Sequence, residues 1–177
     1  DVCFTLDRAV AGRNADAAGA LRTALSRNDL NITLDRLSAR LRLMRAMPKM
    51  QVIVPADYNQ AYAAVQHSWE NPEPMYMRFG RPSTPQVYEE VPESLGDGVD
   101  VLREGKDITL IATGHMVWRA LEAAESLERE DGVEAEVLNV SIIKPLASQT
   151  VIESLAKTGL AVTAEEHRVV GGLADAV

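Results

Sequence analysis

Residues 108–140 read ITLIATGHMVWRALEAAESLEREDGVEAEVLNV, and this stretch decides the fold class. Residues 108–113 are a short apolar run, which reads as a buried strand. Over residues 116–129 the apolar positions Val117, Leu121, Ala124 and Leu127 recur every three or four residues, the mark of a helix with one inward face. Residues 135–140 return to a strand. Strand, helix and strand at this spacing predict parallel neighbours joined by a crossover helix.

The alternation continues downstream. Residues 150–156 read as a helix closed by Gly159, residues 160–164 as a strand, and Gly171-Gly172 as the opening of a further helix. That helix has barely begun at Val177, so the second domain is expected to be truncated. Upstream, residues 99–102 are a strand before the turn Glu104-Gly105-Lys106-Asp107, and residues 82–98, with Pro82, Pro85, Pro92, Gly96 and Gly98, read as a linker. Before the linker, Val52-Ile53-Val54 is a short strand. Asp57 can cap the helix after it, on which Tyr58, Ala61, Tyr62, Val65 and Trp69 mark one face. Asn71-Pro72-Glu73-Pro74 stops that helix, and residues 75–79 form another strand. The leucines at 21, 25, 30, 34, 37 and 41 predict a helical run over 15–47 that Pro48 ends. The fold class is therefore α/β, two α/β pieces meeting at the linker, the second with a largely parallel sheet.

Composition excludes several classes. The 177 residues are 46% apolar and 25% charged, which is globular usage. A net charge of −8 disfavours nucleic-acid binding, which needs a basic patch. No apolar run reaches the ~20 residues of a membrane span. The one cysteine, Cys3, admits no internal disulfide, so a cytoplasmic location is expected. The charge is uneven: residues 1–50 hold nine bases and five acids, and residues 1–48 contain eight Arg but neither Lys nor Glu. Two readings follow, a basic helical segment, or a stretch that is not the native continuation of the fold, such as a frame-shifted reading of GC-rich DNA.

Few residues carry obvious chemistry. No nucleophile elbow, phosphate-binding glycine loop, zinc pattern or dinucleotide fingerprint is present. His67 lies in a helix and reads as structural or exposed. His115 follows Gly114 at a helix start, where it can cap, or donate to an anion. Glu165-Glu166-His167 follows a strand, at the end of an α/β sheet where ligands usually bind; the plainer alternative is a solvated acidic edge or a subunit contact. Arg78 on an apolar strand and Arg81 just beyond it offer planar forks for phosphate or carboxylate, or else pair with a nearby acid.

Several motifs are familiar in order and spacing. Leu43-Met44-Arg45-Ala46-Met47-Pro48, Val52-Ile53-Val54-Pro55-Ala56-Asp57 and Tyr76-Met77-Arg78-Phe79-Gly80-Arg81-Pro82 resemble the end of the pyrimidine-binding domain of transketolases. Leu102-Arg103-Glu104-Gly105-Lys106-Asp107, Ala112-Thr113-Gly114-His115-Met116-Val117, Ile143-Lys144-Pro145-Leu146, Glu165-Glu166-His167 and Gly171-Gly172-Leu173 resemble the transketolase C-terminal domain, in the split two-subunit form. The resemblance runs from about Leu43 to Val177. It implies the end of a pyrimidine-binding α/β domain over 43–82, a linker over 83–98, and a C-terminal domain over 99–177, with 1–42 unassigned, helical or disordered. It also implies thiamine diphosphate and Mg²⁺, held mainly by parts outside this chain, and transfer of a two-carbon ketol unit between sugar phosphates. The implied partners are a transketolase N-terminal subunit or section and, in a homo- or hetero-oligomer, further copies. By the same resemblance Arg78 matches the arginine that holds the substrate's phosphate, and no catalytic, cofactor or metal ligand is carried over. Residues 26–42 hold neither glycine nor histidine, where the family has a glycine-rich loop with histidine and acidic residues. Two alternatives stay open: a deoxyxylulose-phosphate synthase-like enzyme, and a non-catalytic subunit-association module.

Overall fold

The computed structural model describes residues 39–80, 83–167 and 170–177. The expectations for Cys3, for the leucine run before residue 39, for the alternative origin of the N-terminal stretch and for Arg81 lie outside these residues. Helix α1 occupies residues 39–46 and gives way to a turn at Pro48, whose ring cannot continue it.

Two sheets follow. Strands β1 (Gln51–Ile53) and β2 (Met75–Met77) pair in parallel, joined by helix α2 (Tyr58–Glu70). Strands β3 (Val99–Arg103), β4 (Ile108–Ala112), β5 (Ala135–Val140) and β7 (Ala161–Ala164) form the second sheet in the order β3-β5-β4-β7. Helix α3 (Met116–Asp131) crosses from β4 to β5, and helix α4 (Ser148–Thr158) leads into β7. Pairings of β4 with β5 and with β7 are parallel, as the alternation predicts, while β3 lies antiparallel on the edge. The turn at 104–107 therefore closes no hairpin, because β5 inserts between β3 and β4.

Helix α3 buries Val117, Ala120 and Ala124 against Leu110, Ala112 and Val137 on one sheet face. Val151 of α4 packs with Ile111, Leu138 and Val140 on the other. Covered on both faces, all six residues of β5 are buried, and its two polar members are hydrogen-bonded, Glu136 to Thr109 Oγ1 and Asn139 to Gln60 Oε1.

Four expectations are corrected. The α2 face marked by Tyr58, Tyr62, Val65 and Trp69 points outward, with Trp69 91% exposed, while Gln60, Ala63 and Ala64 face the core. Small residues let this helix sit close to its sheet, so the large side chains are left outside. Residues 170–176 form turns instead of a helix. Strand β2 stops at Met77, although the Arg78 N–H still donates to Ile53 O at 2.9 Å. Finally, the linker does not divide the sheets: a short strand β6 (Ile142–Lys144), unrecognised in the sequence, pairs antiparallel with β1. One core accordingly joins Leu41, Val52 and Val54 to Val99, Leu138, Ile143 and Leu173.

Candidate functional site

The carboxyl ends of β1, β2, β4 and β7 converge. A cleft of about 310 Å³ opens there, lined among others by Asp57, Tyr58, Phe79, Ser83, Thr84 and His115. Parallel strands end together, so the segments after β4 and β7 are neighbours by construction. This brings three separately predicted residues into one row. His115 Nδ1 lies 2.6 Å from Glu166 Oε2, and the same oxygen lies 3.6 Å from Arg78 Nη2. Arg78 Nη2 also donates to the Glu166 backbone carbonyl at 3.1 Å. The side chains of Arg78 and His115 are 18% and 17% exposed, that of Glu166 38%. Although close, His115 Nδ1 makes no hydrogen bond, because the contact is off the angle one needs. His115 occupies the N-cap of α3 without a capping bond, so the capping role is not realised. Arg78 pairs with an acid, the plainer of its two predicted fates, in a position next to cleft-lining Phe79.

Glu165 does something else. Its carboxylate accepts from Leu173 N at 2.7 Å and Ala174 N at 2.9 Å. A Cβ on Gly172 would stand 2.0 Å from Glu165 Oε2, so only glycine admits this approach. Arg45 Nη1 donates to Gly172 O at 2.6 Å, tying the same turn to α1. The acidic pair thus splits, one carboxylate as a backbone clasp and one beside Arg78, and neither is a bare solvated edge.

Asp57 lines the cleft, and both of its carboxylate oxygens accept backbone hydrogen bonds. It caps α2 through Gln60 N at 2.8 Å, and its other oxygen accepts from Val87 N and Tyr88 N at 2.7 and 2.8 Å. Behind it lies a buried polar network that no sequence motif announces. Tyr88 Oη donates to Asp100 Oδ2 at 2.5 Å, and Asn139 Nδ2 reaches Tyr88 Oη at 2.8 Å and Gln60 Oε1 at 3.0 Å. Burial first, then the bond to Asp100, push the Tyr88 phenol well above its ordinary pKa, so it stays a donor. Tyr88 sits in the expected linker, where turn residues hide its packing. His67 is structural, its Nε2 3.1 Å from Gln51 Oε1. Among the described residues no three His, Cys, Asp or Glu side chains group as metal ligands, and no helix is long and apolar enough to cross a membrane.

Comparisons with known proteins bear on the same region. Residues 97–177 match the family "Transketolase, C-terminal domain". The 6-deoxy-6-sulfo-D-fructose transketolase subunit SqwH of a Clostridium species is 38% identical over 97% of this chain and 52% of its own. That alignment takes in most of residues 1–42, where the sequence carries no family motif. An apulose-4-phosphate transketolase subunit from Phocaeicola vulgatus is 37% identical over 74% of this chain and 42% of its own. Among solved structures, a split-gene transketolase described as an inactive β4 tetramer is 44% identical, with a TM-score of 0.74 over 78% of this chain and 46% of its own. The chain thus spans about half the length, or less, of these relatives. The chain belongs to the transketolase family, and residues 97–177 are its C-terminal domain.

Proposed function

We propose that this chain is the C-terminal section of a thiamine diphosphate-dependent transketolase, acting with an N-terminal section to move a two-carbon ketol unit between sugar phosphates. In this reading residues 43–82 are the end of the pyrimidine-binding domain. The single observation that carries the substrate assignment is Arg78. Its guanidinium is mostly shielded, stands at the carboxyl ends of the strands, and directly precedes two residues that line the cleft. Glu166 Oε2 reaches this group at only 3.6 Å, and a phosphate dianion matches its planar fork better than one loosely placed carboxylate oxygen.

The cofactor, when bound, supplies the electron sink for carbon–carbon cleavage. Its metal ligands are assigned to the N-terminal section. The part of this chain is to bind the sugar phosphate at one end and so orient the reacting carbonyl at the other. The outward stripe of Tyr58, Tyr62, Val65 and Trp69 supports a partner, since contiguous exposed apolar surface of this kind is normally covered.

The test is ketol transfer assayed with and without an added N-terminal subunit. Transfer that requires both supports the proposal; none with both leaves the subunit-association reading. Turnover of pyruvate in place of ketose phosphates would favour the deoxyxylulose-phosphate synthase reading. In the active assembly, Arg78→Ala is expected to weaken transition-state binding of phosphorylated sugars by about 2–4 kcal/mol, as for a lost charged pair. Arg78→Lys is expected to recover part, and unphosphorylated acceptors to be nearly indifferent to both changes.

A further inference from the structure

We propose that Glu166 is the resident counter-anion of Arg78, a positioning residue that gives up the guanidinium to an incoming phosphate by swinging onto His115. The inference rests on the phosphate-binding role of Arg78 given above and adds the means by which the free site stays neutral.

The geometry supplies each part. One carboxylate oxygen, Glu166 Oε2, lies between two cationic or donor groups, 3.6 Å from Arg78 Nη2 and 2.6 Å from His115 Nδ1. The longer contact is the looser one, and the shorter is a hydrogen bond not yet made, for want of angle. A small rotation of the Glu166 side chain completes the second as it releases the first. The guanidinium does not drift meanwhile, because the Glu166 backbone carbonyl holds Nη2 at 3.1 Å whatever the side chain does. Arg78 keeps four further N–H groups for a ligand.

The energetics point the same way. With no ligand bound, a mostly shielded guanidinium without an anion is costly, and Glu166 offsets that cost. A phosphate dianion carries more charge and more acceptors than one carboxylate, so it displaces Oε2. The displaced carboxylate then needs a donor, and His115 with its proton on Nδ1 is that donor. A weak monoanion gains too little to drive the exchange, so the pair favours phosphate esters over carboxylates of similar shape.

The experiment is binding of inorganic phosphate to the full-length protein, read by ³¹P line broadening, for wild type and for Glu166→Gln, His115→Phe, the double variant and Arg78→Ala. Glu166→Gln is expected to bind about two- to five-fold more tightly, the worth of a partly exposed ion pair. His115→Phe is expected to bind weaker by a similar factor, and the double variant to match Glu166→Gln, since without the carboxylate there is nothing for His115 to receive. A merely structural Glu166 would not give opposite signs for two touching residues. If Arg78→Ala abolishes binding while Glu166→Gln binds no more tightly than wild type, the phosphate role of Arg78 stands and the counter-anion proposal falls. If Arg78→Ala binds phosphate like wild type, the substrate contact proposed for Arg78 fails, and this inference with it.

Discussion

Replacing Glu165 by Gln tests whether the first acid of the pair is a clasp and not a ligand. The carboxylate accepts two backbone N–H groups, Leu173 at 2.7 Å and Ala174 at 2.9 Å. A hydrogen bond to a charged acceptor contributes about 1.5–3 kcal/mol. Glutamine preserves the shape but offers one oxygen, and its NH₂ confronts the second N–H, donor against donor. One bond is lost outright and the other weakened, so the expected loss is about 2–3 kcal/mol. The turn cannot simply swing away, because Leu173 is fully buried in the core shared with Leu41 and Val52. Releasing that side chain would itself cost about 2 kcal/mol. For a chain of this length the midpoint of thermal unfolding should fall by roughly 4–12 °C, at about 2–4 °C per kcal/mol. Hydrogen exchange should show protection falling first at the amides of Leu173 and Ala174. A Glu165→Gln variant within about 0.5 kcal/mol of wild type, with those amides unchanged, would refute the clasp.

Three other outcomes are expected. Lys157 has its pKa raised by its hydrogen bonds to Glu104 and then Glu136, so its stabilising effect is full below the ordinary lysine value and is lost as pH rises through the raised one. Wild type should therefore lose stability above about pH 10.5 more steeply than Lys157→Met, measured by urea unfolding across that range. Gly98→Ala adds a Cβ 2.3 Å from Ile142 Cβ at a φ of +86°, and should cost more than about 1 kcal/mol in denaturant unfolding. Trp69→Ser, at a position 91% exposed, should leave unfolding within about 0.5 kcal/mol but weaken association with a partner subunit in analytical ultracentrifugation.

Long periodic segments are the legible part of the sequence. The stretch from β4 to β5 shows its helix and its two strands because each carries a full period of apolar residues. Helix α2 is legible too, but its orientation is inverted: large apolar side chains suggest the buried face, whereas Ala63 and Ala64 do the packing. Strand β6 has three residues and follows β5 after Ser141 alone, so no pattern separates it. His115, Glu166 and Arg78 each stand out in the sequence, yet their meeting depends on which strands are neighbours. Only the parallel pairing of β4 with β7 and the approach of β2 decide that. The Tyr88 network is invisible in the sequence because its members, Gln60, Tyr88, Asp100 and Asn139, come from four distant segments.

The pairing of β6 with β1 bears on how a gene for such a protein can be divided. The proline-rich stretch between residues 83 and 98 invites a cut, since it has little regular structure. A cut there would part β1 and β2 from the strand that completes their sheet, and would leave Ile142 and Ile143 on an open, apolar edge. Two polypeptides made that way would each be prone to aggregate before they met. Fission or fusion of genes encoding this arrangement is therefore expected to respect the sheet and to ignore the linker.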